Sequence, residues 1–346
     1  MLTEPSVAIV LVNWHGWPEC IECIDSLLLQ SHRNFQVLVV DNGFSDHSLE
    51  HIAGWCRSPK ADPSWTRHHG VRRYTDRAYS GPIPYRVAAP AEGGLSPAPN
   101  RCSLTLIPSG ENLGYAGGCN VGIEAAGIDQ FDYFWFLNPD TVAHQSALTE
   151  LINRAQRAPR IGIVGSTLRY YDRPEVLQAM GGARFNRSNG TSAHIGQGAQ
   201  LAELPLDGAI IEREMDYVVG ASMLVSAEFI TEVGLMAEDY FLYFEEIDWA
   251  FRRGAKFTLG FAPKSHVFHK SGANSSKKMP SFSSKFYYRN RLRFIAKFLP
   301  DQLGSAKWSL VDNFLRHVAR GRWAQARIVL NTLLTARKIV ANVTRA

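Results

Sequence analysis

The sequence predicts a doubly wound α/β fold. Three observations predict it: short apolar runs of strand length, segments of helical periodicity between them, and aspartates where two of the runs stop. The first run, Val7 to Val12, is continuous rather than alternating, as expected of a strand covered on both faces. Helical spacing follows at Ile21, Ile24, Leu27 and Leu28, and a second run from Val37 to Val40 ends at Asp41. A third, Leu104 to Ile107, leads through a glycine-rich turn into a helix across residues 121–126, and a fourth, Tyr133 to Leu137, stops at Asn138-Pro139-Asp140. In such folds ligands bind beyond the carboxyl ends of the strands, so Asp41 and Asp140 stand where chemistry is expected. Regularity fades after residues 161–165 and returns as one buried strand from Tyr217 to Val225. Residues 57–103, with seven prolines and little periodicity, read as an inserted loop. From Lys285 the chain reads as helical, with Trp308, Val311, Phe314, Leu315 and Val318 on one apolar stripe. The organisation expected is therefore a domain over 1–284 and a basic amphipathic tail over 285–346.

With 346 residues, 45% of them hydrophobic and 20% charged, the chain can build a large core plus an appendage. Its net charge of +5 is uneven: residues 285–346 carry 13 of the 37 Lys/Arg but only two of the 32 Asp/Glu, leaving 24 against 30 elsewhere. An anionic partner, a membrane surface, is expected for the tail alone; the alternative is that its helices pack on the body of the protein or on another subunit of a homo-oligomer. Nucleic acid is disfavoured because no basic platform interleaved with aromatics is present. The start lacks the basic lead of a secretory signal, and no apolar stretch nears the roughly 20 residues of a spanning helix. Cys20 and Cys23 have C-x-x-C spacing, but they share a helical apolar pattern with Ile21 and Ile24, and so read as core residues in a reducing compartment.

Three segments carry candidate chemistry. Asp140 follows a buried strand directly, presented by Pro139, although Asn-Pro-Asp also reads as a turn with a helix cap. Glu245 and Glu246 open a helix among Phe241, Tyr243, Phe244 and Trp249, where adjacent carboxylates partly removed from water acquire raised pKa values useful to a general base. Asp248 and Arg252, four apart, read as a plain helical ion pair. His266 and His269 are imidazoles of undetermined role, either structural or metal-ligating.

Six segments in unbroken order resemble the rhamnosyltransferase-type branch of the inverting family 2 glycosyltransferases: Val12-Asn13-Trp14-His15-Gly16, Val40-Asp41-Asn42-Gly43 with Ser45 to Ser48, Glu111 to Gly122, Leu137 to Thr141, Phe241 to Asp248, and Val267 to Gly272. The resemblance covers residues 7–56 and 104–295 and implies the GT-A fold with a C-terminal helical extension. It implies that Asp41 and Asn13 hold the donor's pyrimidine base, and that Asn42, Asn112, Gly114, Gly117 and Asn138 line the donor site. Asp140 and His269 would hold a divalent cation, Mg2+ or Mn2+, against the diphosphate. Glu246 would be the base, with Glu245 the runner-up, since the family usually keeps an aspartate there. The donor expected first is dTDP-L-rhamnose. A UDP-hexose or UDP-galactofuranose transferase, or a non-catalytic scaffold of the same fold, is the alternative. A glycan or lipid-linked acceptor in cell-surface polysaccharide synthesis places the chain in the cytoplasm, peripheral on the inner face of the membrane. The Gly114–Gly122 run lacks G-x-G-x-x-G spacing and follows the third strand, which argues against a nicotinamide site.

Overall fold

The computed structural model describes residues 4–43, 46–59, 71, 81–88, 104–158, 160–204, 207–270 and 281–343. Its strands are β1 (Val7–Asn13), β2 (Phe35–Asp41), β3 (Tyr85–Val87), β4 (Leu104–Pro108), β5 (Tyr133–Leu137), β6 (Thr141–Ala143), β7 (Ile161–Tyr170), β8 (Arg173–Met180), β9 (Gly182–Asn186), β10 (Thr191–His194), β11 (Tyr217–Val218), β12 (Ser222–Ser226) and β13 (Thr258–His269). The helices are α1 (Trp17–Leu27), α2 (Ser48–Arg57), α3 (Gly114–Ala126), α4 (Ala147–Gln156), α5 (Ala209–Glu212), α6 (Ala227–Val233), α7 (Glu245–Arg252), α8 (Ser281–Phe298), α9 (Leu303–Ala319), α10 (Trp323–Leu334) and α11 (Ala336–Val343).

The main sheet runs β3-β4-β2-β1-β5-β12-β7-β13-β6, with β8 paired to β7, and a second sheet has the order β10-β9-β11. Strands β3 to β5 are parallel, whereas β12 is antiparallel to both β5 and β7. The continuous apolar run of β1 has its reason in this layering. Val7, Ile9 and Leu11 join the core under α1, α2 and α4, while Ala8, Val10 and Val12 join the core under α3 and α6. Burying both faces of one strand leaves no position for a polar alternation.

Several expectations are corrected. The apolar segment from Tyr217 to Val225 is two strands: Tyr217 pairs with Ala183 in the small sheet, and Ser222 pairs with Leu137 in the large one. The Gly114–Gly122 run is not a turn before a helix but the first turns of α3. A Cβ at Gly118 would stand 2.5 Å from Val12 Cγ1, and one at Gly122 2.4 Å from Val10 Cγ1, so these glycines let α3 lie flat on β1. Most of the expected insertion at 57–103 lies outside the described residues, and its part 85–87 is not loop but the edge strand β3, flanked by buried Ile83 and Ala88. Cys20 and Cys23 are free and buried, as core residues should be.

The boundary expected at 284/285 falls inside α8. Leu292, Phe294 and Ile295 of that helix are fully buried in the same core as β1 and β2. Phe294 packs against Phe185, Phe244 and Phe251 at ring-centroid distances of 4.9, 5.7 and 4.9 Å. The Asp248–Arg252 pair forms at 2.6 Å, and Lys297 of α8 reaches the same buried carboxylate at 2.6 Å. Helix α8 is thus packed into the same core as the sheet. In α9 the inward positions are Ala306 and Leu310, whereas Trp308 and Leu315 of the expected stripe are 75% and 58% exposed.

Because α3 has no space above Val10, Gly122→Ala is expected to cost about 1–3 kcal/mol through overpacking. The urea midpoint followed by circular dichroism should fall, and an unchanged midpoint would mean the helix can lift from the sheet without penalty.

Candidate active site

The site lies at the carboxyl ends of β1, β2 and β5. Asn13 and Asp41 are register partners there, and Asn13 Nδ2 donates to Asp41 Oδ1 at 3.2 Å. Burial pushes the Asp41 carboxyl up to about 6, against the opposing hydrogen bond from Asn13. Asn13 Oδ1 is buried without a partner. The pair thus holds one acceptor oxygen, Asn13 Oδ1, that no group of the described chain satisfies.

Beside it is a cavity of about 150 Å³ lined by Trp14, Asn42, Asn112, Gly114, Phe241 and Phe282, among others. Asn42 is committed within the chain: Nδ2 donates to Gly114 O at 2.8 Å and Asn112 Oδ1 at 3.2 Å, and Oδ1 accepts from Leu113 N at 3.0 Å. It shapes the pocket by clamping the loop before α3. Gly114 has φ +74°, and a Cβ there would meet Phe241 O at 2.2 Å, so this glycine lets two backbones touch. Gly117, expected to line the donor site, instead faces Leu113 Cβ, 2.6 Å from where its own Cβ would stand, and lines neither cavity.

Asp140 and His269 are joined by a strand register. Strand β6 runs antiparallel to β13 with Thr141 opposite His269, and Lys270 N donates to Asp140 O at 3.0 Å. His269 Nε2 consequently lies 3.2 Å from Asp140 Oδ1. Its other nitrogen, Nδ1, is 2.9 Å from Gln178 Oε1 on β8. A carbonyl oxygen only accepts, so Nδ1 carries a hydrogen, and in the neutral ring this leaves Nε2 able to bind a cation beside the aspartate. That buried Nε2 has no hydrogen-bond partner. Burial raises the Asp140 pKa, but the positive charge that His269 carries when its ring is protonated outweighs it and holds the carboxyl below its usual range. Next to it, Lys270 Nζ is tied at 2.5 Å to buried Glu22, which also accepts from Tyr171 OH at 2.7 Å.

His269 and Asn138 open onto a second cavity of about 360 Å³, which Glu245 and Glu246 also line. The two carboxylates start α7 after a turn in which Phe241, Tyr243 and Phe244 have φ of +63°, +67° and +80°. Side chains rarely adopt that region, and such runs persist only where surroundings impose them. Asn290 of α8 imposes this one, donating from Nδ2 to Tyr240 O, Leu242 O and Tyr243 O at 2.7, 2.8 and 3.0 Å. Burial raises both pKa values, Glu246 to about 7, with the charge of Glu246 adding to the rise at Glu245. Glu245 Oε2 and Glu246 Oε2 are both buried without partners.

The structure thus brings together Asn138, His269, Glu245 and Glu246 on one cavity, with Asp140 behind His269, and places Asn13 and Asp41 beside the adjoining pocket. The two cavities share Tyr115 and Leu242. Among the described residues, no group of three or more His, Cys, Asp or Glu could hold a metal ion. Two donors nonetheless fit a cation: adjacent ligands about 2.1 Å from an octahedral ion stand about 3 Å apart, close to the observed 3.2 Å. The missed residues are Gln178, Tyr115 and Asn290. Tyr115 lies within the Glu111 to Gly122 segment but at a position given no role there, Gln178 lies in no recognisable motif, and Asn290 falls in the part taken for a tail. A larger depression of about 930 Å³, lined by Pro5, Phe131, Asp132 and Thr231, lies at the opposite strand ends, where Ser6 occupies Asp132.

Residues 95–216 match the family described as Glycosyl transferase family 2. Over 312 residues, 83% of either chain, the protein is 24% identical to the N-acetylglucosaminyl-diphospho-decaprenol L-rhamnosyltransferase of Mycobacterium tuberculosis strains CDC 1551 / Oshkosh and H37Rv. It is 25% identical to the low-salt glycan biosynthesis hexosyltransferase Agl10 of Haloferax volcanii, over 54% of this chain and 59% of that one. Among solved structures it is similar to the mannosyltransferase PcManGT of Pyrobaculum calidifontis in complex with GDP-Man and Mn2+. The TM-score is 0.50 and the identity 12%, covering 98% of this chain and 88% of that one. These findings bear out the resemblance read from the motifs: the chain is similar to family 2 glycosyltransferases of the rhamnosyltransferase type and is built on the GT-A fold.

Proposed function

We propose that the chain is an inverting glycosyltransferase that moves a sugar, L-rhamnose from dTDP-L-rhamnose first, from a nucleotide diphosphate to a hydroxyl of a lipid-linked glycan. The observation that carries this reading is one cavity lined by His269, which pairs with Asp140 behind it, and by two raised carboxylates, Glu245 and Glu246. The rhamnosyltransferase relative, whose name specifies a diphospho-decaprenol acceptor, supports the choice of sugar and of a lipid-linked substrate.

Asn13 and Asp41 accept hydrogen bonds from the base, and Trp14, 52% exposed at the pocket's lip, offers a ring face. Asp140 and His269 would hold a divalent cation, which when bound neutralises charge on the departing diphosphate. Gln178 fixes the histidine tautomer that leaves Nε2 free for it. Glu246 takes the proton of the acceptor hydroxyl as its oxygen bonds to the anomeric carbon. The bond from that carbon to the diphosphate oxygen breaks on the opposite face, inverting the centre. Closely spaced carboxylates in a dry site keep one proton between them near neutral pH, which poises Glu246 rather than leaving it permanently ionised.

The base must be ionised to act, so kcat/KM should rise with pH through about 7, the Glu246 value, and level off above it. Glu246→Gln should lower kcat about 100-fold or more while dTDP binding by calorimetry is kept. A variant with full activity, or a flat profile between pH 6 and 8, would remove Glu246 from that role. Asp140→Asn and His269→Ala should each abolish the Mn2+-dependent tightening of dTDP binding. Tightening that survives both changes would place the cation elsewhere.

The peripheral membrane location rests on the C-terminal helices. Among the described residues, no helix is long and apolar enough to cross a membrane. Trp308, Leu315, Trp323 and Leu334 are 75%, 58%, 68% and 74% exposed within the segment that carries the basic excess, a composition suited to anionic headgroups. Full-length protein should co-sediment with liposomes containing phosphatidylglycerol at low salt and be released at high salt. Protein left in the supernatant at low salt would overturn the membrane assignment.

A further inference from the structure

The 360 Å³ cavity has a second wall that the donor chemistry does not use. It is made by the small sheet and by α8: Ser192 and His194 from β10, Tyr217 from β11, and Tyr287. Ser192 and His194 are two apart on one strand and so share a face. His194 and Tyr217 are both register partners of Ala183 on the strand between them, so they flank a residue too small to fill the space. Tyr217 lies within electrostatic reach of Glu246 and hydrogen-bonds Ser192. Above the row, Tyr287 meets Tyr243 edge-on at 6.3 Å and Phe244 at 5.8 Å, leaving an aromatic surface beside the carboxylates. His194 Nδ1 is buried without a partner, as are Glu245 Oε2 and Glu246 Oε2 across the cavity.

Orphaned polar atoms on facing walls, with aromatic rings between them, fit a ligand that carries hydroxyls around its rim and C–H bonds on its face. A hydrocarbon chain would leave every one of those atoms unsatisfied. We propose that the β9–β11 sheet and Tyr287 form the acceptor subsite, that it takes the terminal pyranose ring of the acceptor, and that His194, Ser192 and Tyr217 orient that ring so that one hydroxyl faces Glu246. A volume of about 360 Å³ is near the small end of ligand pockets, about 300–1,000 Å³, so the acceptor enters by one end. The proposal rests on the transferase reading for the role of Glu246. The sugar-binding surface stands on its own geometry.

Saturation-transfer NMR on the full-length protein tests it, with methyl glycosides of glucose, galactose, rhamnose and N-acetylglucosamine, each with and without saturating dTDP. At least one glycoside is expected to receive saturation and to keep it when dTDP is added. His194→Ala and Tyr217→Phe should each weaken that glycoside's Kd by about fivefold or more, while dTDP affinity stays within twofold. Should these buried substitutions perturb folding, Ser192→Trp supplies an independent arm, because Ser192 is exposed and a large ring there would close the cavity. Its glycoside signal should vanish with the melting temperature unchanged. Absence of binding by all four glycosides, displacement by dTDP, or unaltered binding in the folded variants would overturn the proposal. Failure of dTDP and other nucleotides to bind the unaltered protein would instead overturn the donor reading, leaving the glycoside result to decide the subsite.

Discussion

Three residues of antiparallel pairing hold the site together. The chain leaves the parallel part of the sheet at Leu137, turns through Asn138-Pro139-Asp140, and returns as β6 against the end of β13. That ladder places Thr141 opposite His269, so the side chain just before it meets the imidazole. A slip of one residue would send His269 to the other face of the sheet and separate the pair. The register is locked by its surroundings: Thr141 Oγ1 donates to Asn138 O at 2.7 Å, Ala143 N to Ser26 Oγ at 3.0 Å, and β13 is held along its length by β7. The candidate chemistry at the sheet edge therefore depends on backbone pairing that includes His269 itself and sets Asp140 beside it.

The carboxylate end depends on a different device. Glu245 and Glu246 start a helix, where the dipole favours negative charge, yet burial drives both toward the protonated form. Burial prevails because Phe241, Tyr243 and Phe244 wrap the helix start in an unfavourable backbone conformation. Asn290 offsets that strain with bonds to three carbonyls, and Arg289 adds bonds to Asp239 O and Tyr240 O at 3.1 Å each. Both residues belong to α8. The helix that begins the basic C-terminal region thus shapes the active site directly, and the outward-facing helices beyond it are fixed to the same body.

The repeating strands were legible because β1, β2, β4 and β5 are buried on both faces, a demand that only unbroken apolar runs satisfy. The motif residues were legible because each stands at a strand end or helix start. What stayed hidden depends on long-range pairing. Nothing in the sequence around Gln178 says that it will face His269, since that requires β8 to fold back on β7. The break between Tyr217 and Ser222 was invisible for the same reason: an apolar strand reads alike whichever sheet receives it. Asn42 and Gly117 were both assigned to the donor by motif; Asn42 lines the pocket while its side chain clamps a loop, whereas Gly117 makes only a packing contact. A residue that shapes a pocket and one that touches its ligand leave the same trace in a motif.

The account stands on the Asp140–His269 pair being a cation seat that faces Glu246 across one cavity. Crystals grown with Mn2+ and dTDP, measured at the manganese absorption edge, test this most directly. The account predicts a single strong anomalous peak within coordination distance of an Asp140 carboxylate oxygen and His269 Nε2, with the dTDP phosphates on its open side. An ordered dTDP whose manganese peak lies away from both residues, or Asp140 and His269 in direct contact with no ion between them at saturating Mn2+, would contradict it.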